Sequence, residues 1–389
     1  MVALTTRSCS DDSVCPPCEC LSTGIGIFQL LQFLFRRSPS DVGDRAFRFL
    51  SWRYWHRIVF IWVSAVFNSV LGLVESLVYE KQIRQQRINP NIVFILGHPR
   101  SGTTHLHNIM TRDPRFGFVD TLQAFYPNCC FVMRGWLSVF LQLFMEDTRP
   151  MDHVPLNFNT PAEDESAIHI LTGGMSPYGV FSVAPRWRTY LKYLTLNDCT
   201  QEELGQWRSQ FVWFLKKCTY ACGGRPLVVK SPTHTARIPM LREMFPHARF
   251  VVIERNPERV FASMCHLIQE CYTHSFIAET NDVELTEFMI EHYRIVQTSF
   301  DDGKKLVPEH QMCSVSFEEL DKNPHAILDR IYTHFGWDGV DHVHELLERY
   351  LDTIGPYQVR NERLPDALNL HLRCRLQNLA PHLGKSPLQ

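Results

Sequence analysis

The chain has 389 residues, 45% of them apolar and 21% charged, with a formal net charge of −2. That length suffices for one large α/β domain plus an extension, at a soft prior of about 150 residues per domain. The near-neutral balance gives no reason to expect nucleic acid or an acidic surface as a bulk partner, so any cationic site has to be local.

In chain order, residues 1–23 read as a polar, disordered tail carrying Cys9, Cys15, Cys18 and Cys20. The CPPCEC run also suits half a zinc site, a redox pair or a lipidated tail, but no second pair follows nearby. Thirteen cysteines in all, an odd and scattered set, define no disulfide framework. Residues 24–90 read as an apolar helical extension. Gly24 to Phe35 is a twelve-residue apolar stretch without a convincing cleavage site, which argues against a secretory signal. Ile58 to Val74 is a run of seventeen uncharged residues, at the lower limit of the roughly 17–25 needed to span a bilayer. Trp52, Tyr54 and Trp55 precede it with Arg53 and Arg57, in the manner of an interfacial belt.

Two readings of segment 58–78 stay open. On one, it spans a membrane or docks firmly on it; if it spans, six arginines between Arg36 and Arg57 favour a cytoplasmic N-terminus, a type II arrangement of the endomembrane kind. The short stem before the next strand and the absence of any Asn-x-Ser/Thr acceptor favour a helix packed on a cytoplasmic domain.

Residues 91–378 read as the catalytic domain and 379–389 as a tail. Ile92 to Leu96 is a short β-branched run that suits a strand buried on both faces. Gly97, Pro99 and Gly102 then break the chain, and Thr103 and Thr104 lead into a helical stretch ending near Met110. Strand, glycine-bounded loop and helix start converge free N–H groups and a positive helix end on one point, which suits a phosphate; an ordinary strand-to-helix turn is the plainer reading. Gly97-x4-Gly102 has Walker A spacing, but Thr103 stands where a triphosphatase needs lysine, and the cation sits inside the loop as Arg100.

Thr111 to Asp120 reads as a connection and Trp136 to Met145 as an apolar helix. In PAEDESA, Glu163, Asp164 and Glu165 offer a general base near neutrality, or merely the acidic first turn of a helix after Thr160-Pro161. Asp120 is a further contender for the base. Met175, Tyr178, Phe181 and Trp187 suit either an acceptor wall or core. Leu227 to Val229, Phe250 to Ile253 and Gln311 to Phe317 read as further strands. Gly97, Lys230, Glu254-Arg255 and Phe317 therefore fall at carboxyl ends of strands, where parallel sheets bind ligands. Lys230, at a buried strand end, needs an anion or an ion-pair partner. His234 is a base, an acceptor contact or a structural histidine.

GHPRSGTT resembles the 5′-phosphosulfate loop of sulfotransferases that use 3′-phosphoadenosine 5′-phosphosulfate (PAPS). ARFVVIERNPERVFAS, from Ala248, is similar to that family's 3′-phosphate strand and helix. VSFEELDKNPHAILDRIYTHFGW, from Val315, resembles the strand, loop and helix near the adenine. LVVKSPTHTAR and YQVRN resemble segments of one broad branch, and the likeness covers roughly Tyr79 to Asn378.

The resemblance implies a P-loop-type sulfotransferase fold with a central parallel sheet flanked by helices, PAPS as co-substrate, and a lipid, glycan or small-molecule hydroxyl as acceptor. It implies that Arg100, Ser101, Gly102, Thr103 and Thr104 hold the 5′-phosphosulfate and that Arg255 and Ser263 hold the 3′-phosphate. Tyr357 and Arg360 then close over the 3′-phosphate or the adenine. The Arg-Lys-Gly segment of the cytosolic enzymes is missing. Arg100, Glu163, Glu165, Lys230 and His234 are the candidate catalytic set. The reaction calls for no metal. The rival readings are a P-loop small-molecule kinase and a non-catalytic, membrane-associated nucleotide-binding protein. Oligomeric state is not legible.

Overall fold

The computed structural model describes residues 24–36, 52–142, 157–270, 276–279, 281–354, 372 and 374–376. The two tails, Tyr357 and Arg360 lie outside the described residues.

Five parallel strands form one sheet in the order β2-β3-β1-β4-β5. They are β1 (Val93–Leu96), β2 (Gly117–Phe118), β3 (Leu227–Lys230), β4 (Arg249–Glu254) and β5 (Met312–Ser316). The central strand β1 is buried at every position, as a β-branched run covered by helices on both faces must be. Its alternate side chains divide the core. Phe94 and Leu96 join one cluster with Trp207, Phe211 and Phe214, whereas Val93 and Ile95 join Leu106, Ile109, Ile327 and Ile331 on the other face. The expected strands are present within a residue or two. The connection expected over Thr111–Asp120 contains the edge strand β2, whose two residues carry no apolar run.

The long helix Trp55–Gln85 is continuous through the apolar run. One stripe of it, with Ile61, Ala65, Asn68, Glu75 and Ile83, is buried against the rest of the chain. Glu75 pairs there with buried Lys217 from the helix Gln201–Ala221 and accepts from the N–H groups of Phe131 (2.7 Å) and Val132 (3.0 Å). The Asn68 amide donates to the Ile25 carbonyl at 3.2 Å, which ties in the shorter helix Ile27–Phe35.

Candidate active site

Strand β1 ends in Gly97, and the loop to the helix Thr103–Met110 turns through two left-handed residues, Arg100 (φ 67°) and Gly102 (φ 96°). At Gly102 only glycine suits the close approach, because a Cβ there would lie 2.3 Å from the Phe317 ring. Arg100 is not glycine, and a non-glycine residue held in this region marks a backbone fixed by its surroundings. Thr235 supplies part of that fixation: the Gly97 N–H donates to its hydroxyl at 2.8 Å, and the hydroxyl donates to the Gly97 carbonyl at 3.0 Å. Buried Ser101 has a hydroxyl without a hydrogen-bond partner. Thr103 is buried, while Thr104 is half-buried.

Two groups of predicted residues meet at this loop. In the first, Arg100 Nε donates to Ser263 Oγ at 2.9 Å, and Arg255 Nη1 donates to the Arg100 carbonyl at 2.9 Å. The Arg255 guanidinium lies 4.2 Å from the centroid of the Phe317 ring, a cation–π platform at the end of β5. Loop cation and 3′-phosphate candidates are therefore in direct contact, although 155 to 163 residues separate them in sequence.

In the second group, Lys230 at the end of β3 donates to Thr104 Oγ1 at 3.2 Å and to Glu163 Oε1 at 2.6 Å. The Tyr178 hydroxyl donates to the other oxygen of Glu163. The Lys230 side chain is only 2% exposed and Glu163 is 25% exposed, so this carboxylate forms the accessible end of a buried cation.

The remaining candidates are placed elsewhere. Glu165, fully buried, forms a two-pronged pair with Arg237 at 2.6 and 3.0 Å and accepts from Thr233 at 2.9 Å. His234 is equally buried and meets Asp164 through Nε2 at 2.8 Å, between the rings of Phe94 and Phe211. Burial alone would raise the Asp164 carboxyl; the His234 ring and the Ser231 hydroxyl (2.7 Å) bring it below the usual range. Neither Glu165 nor His234 is joined to the loop as Glu163 is. Asp120 caps the helix Thr121–Phe125 through the Gln123 N–H at 2.8 Å and pairs with Arg134 at 2.5 Å. Of the aromatic stretch, Phe181 and Trp187 pack in the core against Phe288, and Tyr178 alone reaches Glu163.

Sequence reasoning did not single out Tyr178 as a partner of Glu163. Its presence in a Pro- and Gly-punctuated aromatic run was the available signal. His98 is the other omission: it stacks on Tyr293 at 4.1 Å and meets Gln297 Oε1 at 3.1 Å, and burial pushes its ring down to about 4, so it is neutral at neutral pH. Among the described residues no group of His, Cys, Asp and Glu is arranged to hold a metal ion.

A parallel sheet with a glycine-bounded loop leading from its central strand into a helix defines a P-loop-type fold. Residues 90–342 match the model of the Sulfotransferase family, and the chain belongs to that family. It is similar to the omega-hydroxy-beta-dihydromenaquinone-9 sulfotransferase Stf3 of Mycobacterium bovis, with 28% identity over 310 residues, 80% of this chain and 79% of the relative. The Mycobacterium tuberculosis protein of the same name matches to the same extent. Two solved structures share the fold. The sulfotransferase STF1 of M. tuberculosis H37Rv superposes with a TM-score of 0.64 at 17% identity, covering 89% of each chain. The sulfotransferase STF9 of Mycobacterium avium gives 0.64 at 15% identity, covering 95% of this chain and 92% of that one.

Proposed function

We propose that this sulfotransferase takes its sulfuryl group from PAPS and delivers it to the hydroxyl of a lipid-like acceptor, with Glu163 as the base. The observation that carries this reading is the Lys230 bridge, which sets Thr104 of the anion loop and the accessible carboxylate of Glu163 on one ammonium group. Donor sulfate bound by the loop and an acceptor hydroxyl on Glu163 would then be neighbours, which is what an in-line displacement requires.

In the transfer, the acceptor oxygen forms a bond to sulfur. The bond from sulfur to the bridging oxygen of the 5′-phosphate breaks, and its electron pair leaves with 3′-phosphoadenosine 5′-phosphate. The acceptor proton passes to Glu163. Arg100, Lys230 and the backbone N–H groups of Gly102 to Thr104 meet the charge that develops on the leaving oxygen, while the Ser101 N–H is spent within the loop on the His98 carbonyl at 3.1 Å. The unpartnered hydroxyl of buried Ser101 supports this use of the loop. Arg255, with Phe317 beneath it, and Ser263 bind the 3′-phosphate through charge-assisted hydrogen bonds. Glu165 and His234 hold the loop after β3 in place and take no proton from the acceptor.

The lipid class rests on the relative's quinone acceptor and on the half-buried aromatic ring of Tyr178 beside Glu163. The test is transfer from radiolabelled PAPS by the full chain, offered ω-hydroxylated prenylquinones, long-chain alcohols and free sugars. Label is expected on the terminal hydroxyl of the apolar alcohols. Label on sugars alone would overturn the acceptor class and keep the donor; label on none, with donor bound, would overturn the activity.

A further inference from the structure

The long helix Trp55–Gln85 is apolar on its outer face as well as over most of its inner one. Its inward stripe sets the polar Asn68 and Glu75 among Ile61, Ala65 and Ile83, with Asn68 bonded to the Ile25 carbonyl and Glu75 paired with Lys217 of the catalytic domain. Its outward stripe is apolar: Val59, Val63, Val66, Val70, Leu73 and Leu77 recur at helical spacing on the opposite side, each at least 51% exposed. Counted along the axis, that stripe runs about 27 Å at 1.5 Å per residue, and its footprint, one helix wide, is roughly 300 Å². A strip of that size ranks with the largest apolar patch a soluble monomer exposes, and such patches are often functional. Phe28 extends it from the neighbouring helix, lining the same cleft as Leu73 with 67% of its own surface exposed.

The two ends of the strip have a different character. Trp52 and Trp55 are exposed at the start, beside Arg53 and Arg57. Lys81, Arg84 and Arg87 lie at or just beyond the other end, all exposed, with Arg84 paired to half-buried Glu80 at 2.5 Å. Indole rings and basic side chains bracketing an apolar strip match the headgroup layer of an anionic bilayer. A spanning orientation conflicts with the inward stripe, because the Glu75–Lys217 pair fastens the middle of the helix to the helix Gln201–Ala221 of the catalytic domain. Drawing that pair into hydrocarbon, with the domain attached, would be strongly unfavourable.

We infer that the helix lies in the plane of a lipid bilayer, its inward stripe fixed to the catalytic domain and its outward stripe sunk among the acyl chains. The protein is then monotopic, attached to one leaflet without crossing it. This rests on the helix alone and not on the reading of the acceptor.

Flotation of the full chain with sealed vesicles of equal parts phosphatidylcholine and phosphatidylglycerol tests it. The wild-type chain is expected to float, and less on pure phosphatidylcholine. The variant V63E/V70E/L77E is expected to lose vesicle binding by about tenfold or more, while its thermal melting and its binding of 3′-phosphoadenosine 5′-phosphate stay unchanged. Should the triple variant fail to fold, V70E alone gives the same reading with a smaller loss. Protease added outside the vesicles should remove epitope tags from both termini. A wild-type chain that stays in solution overturns the inference, as does a folded variant that floats equally well or a tag protected at one terminus only. Dimers that dissociate on V63E/V70E/L77E without any vesicle binding would assign the strip to a second copy of the chain instead.

Discussion

Three consecutive carboxylates with three different surroundings give the sharpest mutational contrast. Glu163→Gln keeps an oxygen for Lys230 and for Tyr178 in turn but removes the charge at an accessible position. Its stability cost should be about 1–2 kcal/mol, that of a weakened hydrogen bond to a charged group. Turnover should fall about 10²- to 10⁴-fold, the usual contribution of a general base, with affinity for 3′-phosphoadenosine 5′-phosphate retained. Glu165→Gln breaks a fully buried two-pronged pair and leaves the Arg237 guanidinium uncompensated, against the Trp207 ring and two carbonyls. Loss of one partner of such a pair costs about 3–5 kcal/mol, so this variant should be the less stable by roughly 2 kcal/mol, the difference of those figures. Urea unfolding followed by circular dichroism reads stability, and sulfate transfer from radiolabelled donor reads turnover. Equal stability of the two variants, or near-normal turnover of Glu163→Gln, would refute the division of roles.

The other predictions concern the loop and the buried histidines. Arg255→Ala should weaken 3′-phosphoadenosine 5′-phosphate far more than adenosine in a calorimetric titration; equal losses would remove Arg255 from the 3′-phosphate. Gly102→Ala forces a Cβ into Phe317 and into left-handed backbone, so it should cost at least about 1–2 kcal/mol of stability and much of the nucleotide affinity; Phe317→Ala should restore part of the stability only. Burial lowers His98, His105 and His169 to about 4, and His107 and His292 to about 3, with Lys230 adding to the shift at His107. The unfolded chain then binds more protons than the folded one below about pH 6.5, so stability should fall as pH drops from there towards 4, by about 1.4 kcal/mol per pH unit for each histidine. Unfolding midpoints in urea at about pH 7.5 and 5.5 check the sign, and a flat profile would contradict it.

What the sequence made legible follows from local chemistry. β1 announces itself as a β-branched run closed by a glycine, and Arg100 stands out because it interrupts a glycine-bounded loop. The edge strand β2 does not, since two residues held by pairing to β3 leave no periodic trace. Burial is equally invisible locally. Glu163 and Glu165 are two residues apart on one helix start, and only the fold sends one to Lys230 and the other to Arg237. The same holds for Glu75, which in the sequence marks the end of an apolar run and in the structure turns inward to Lys217. That inward turn makes the long helix part of the domain, so a fragment beginning at Tyr79 would cut through it.

The central claim is the identity of the donor. Calorimetric titration of the full chain with 3′-phosphoadenosine 5′-phosphate, and separately with ATP in magnesium, tests it most directly. The account predicts tight binding of the first, independent of magnesium, and no comparable heat from the second. Binding of magnesium ATP alone would contradict it and make this loop the phosphate cradle of a kinase.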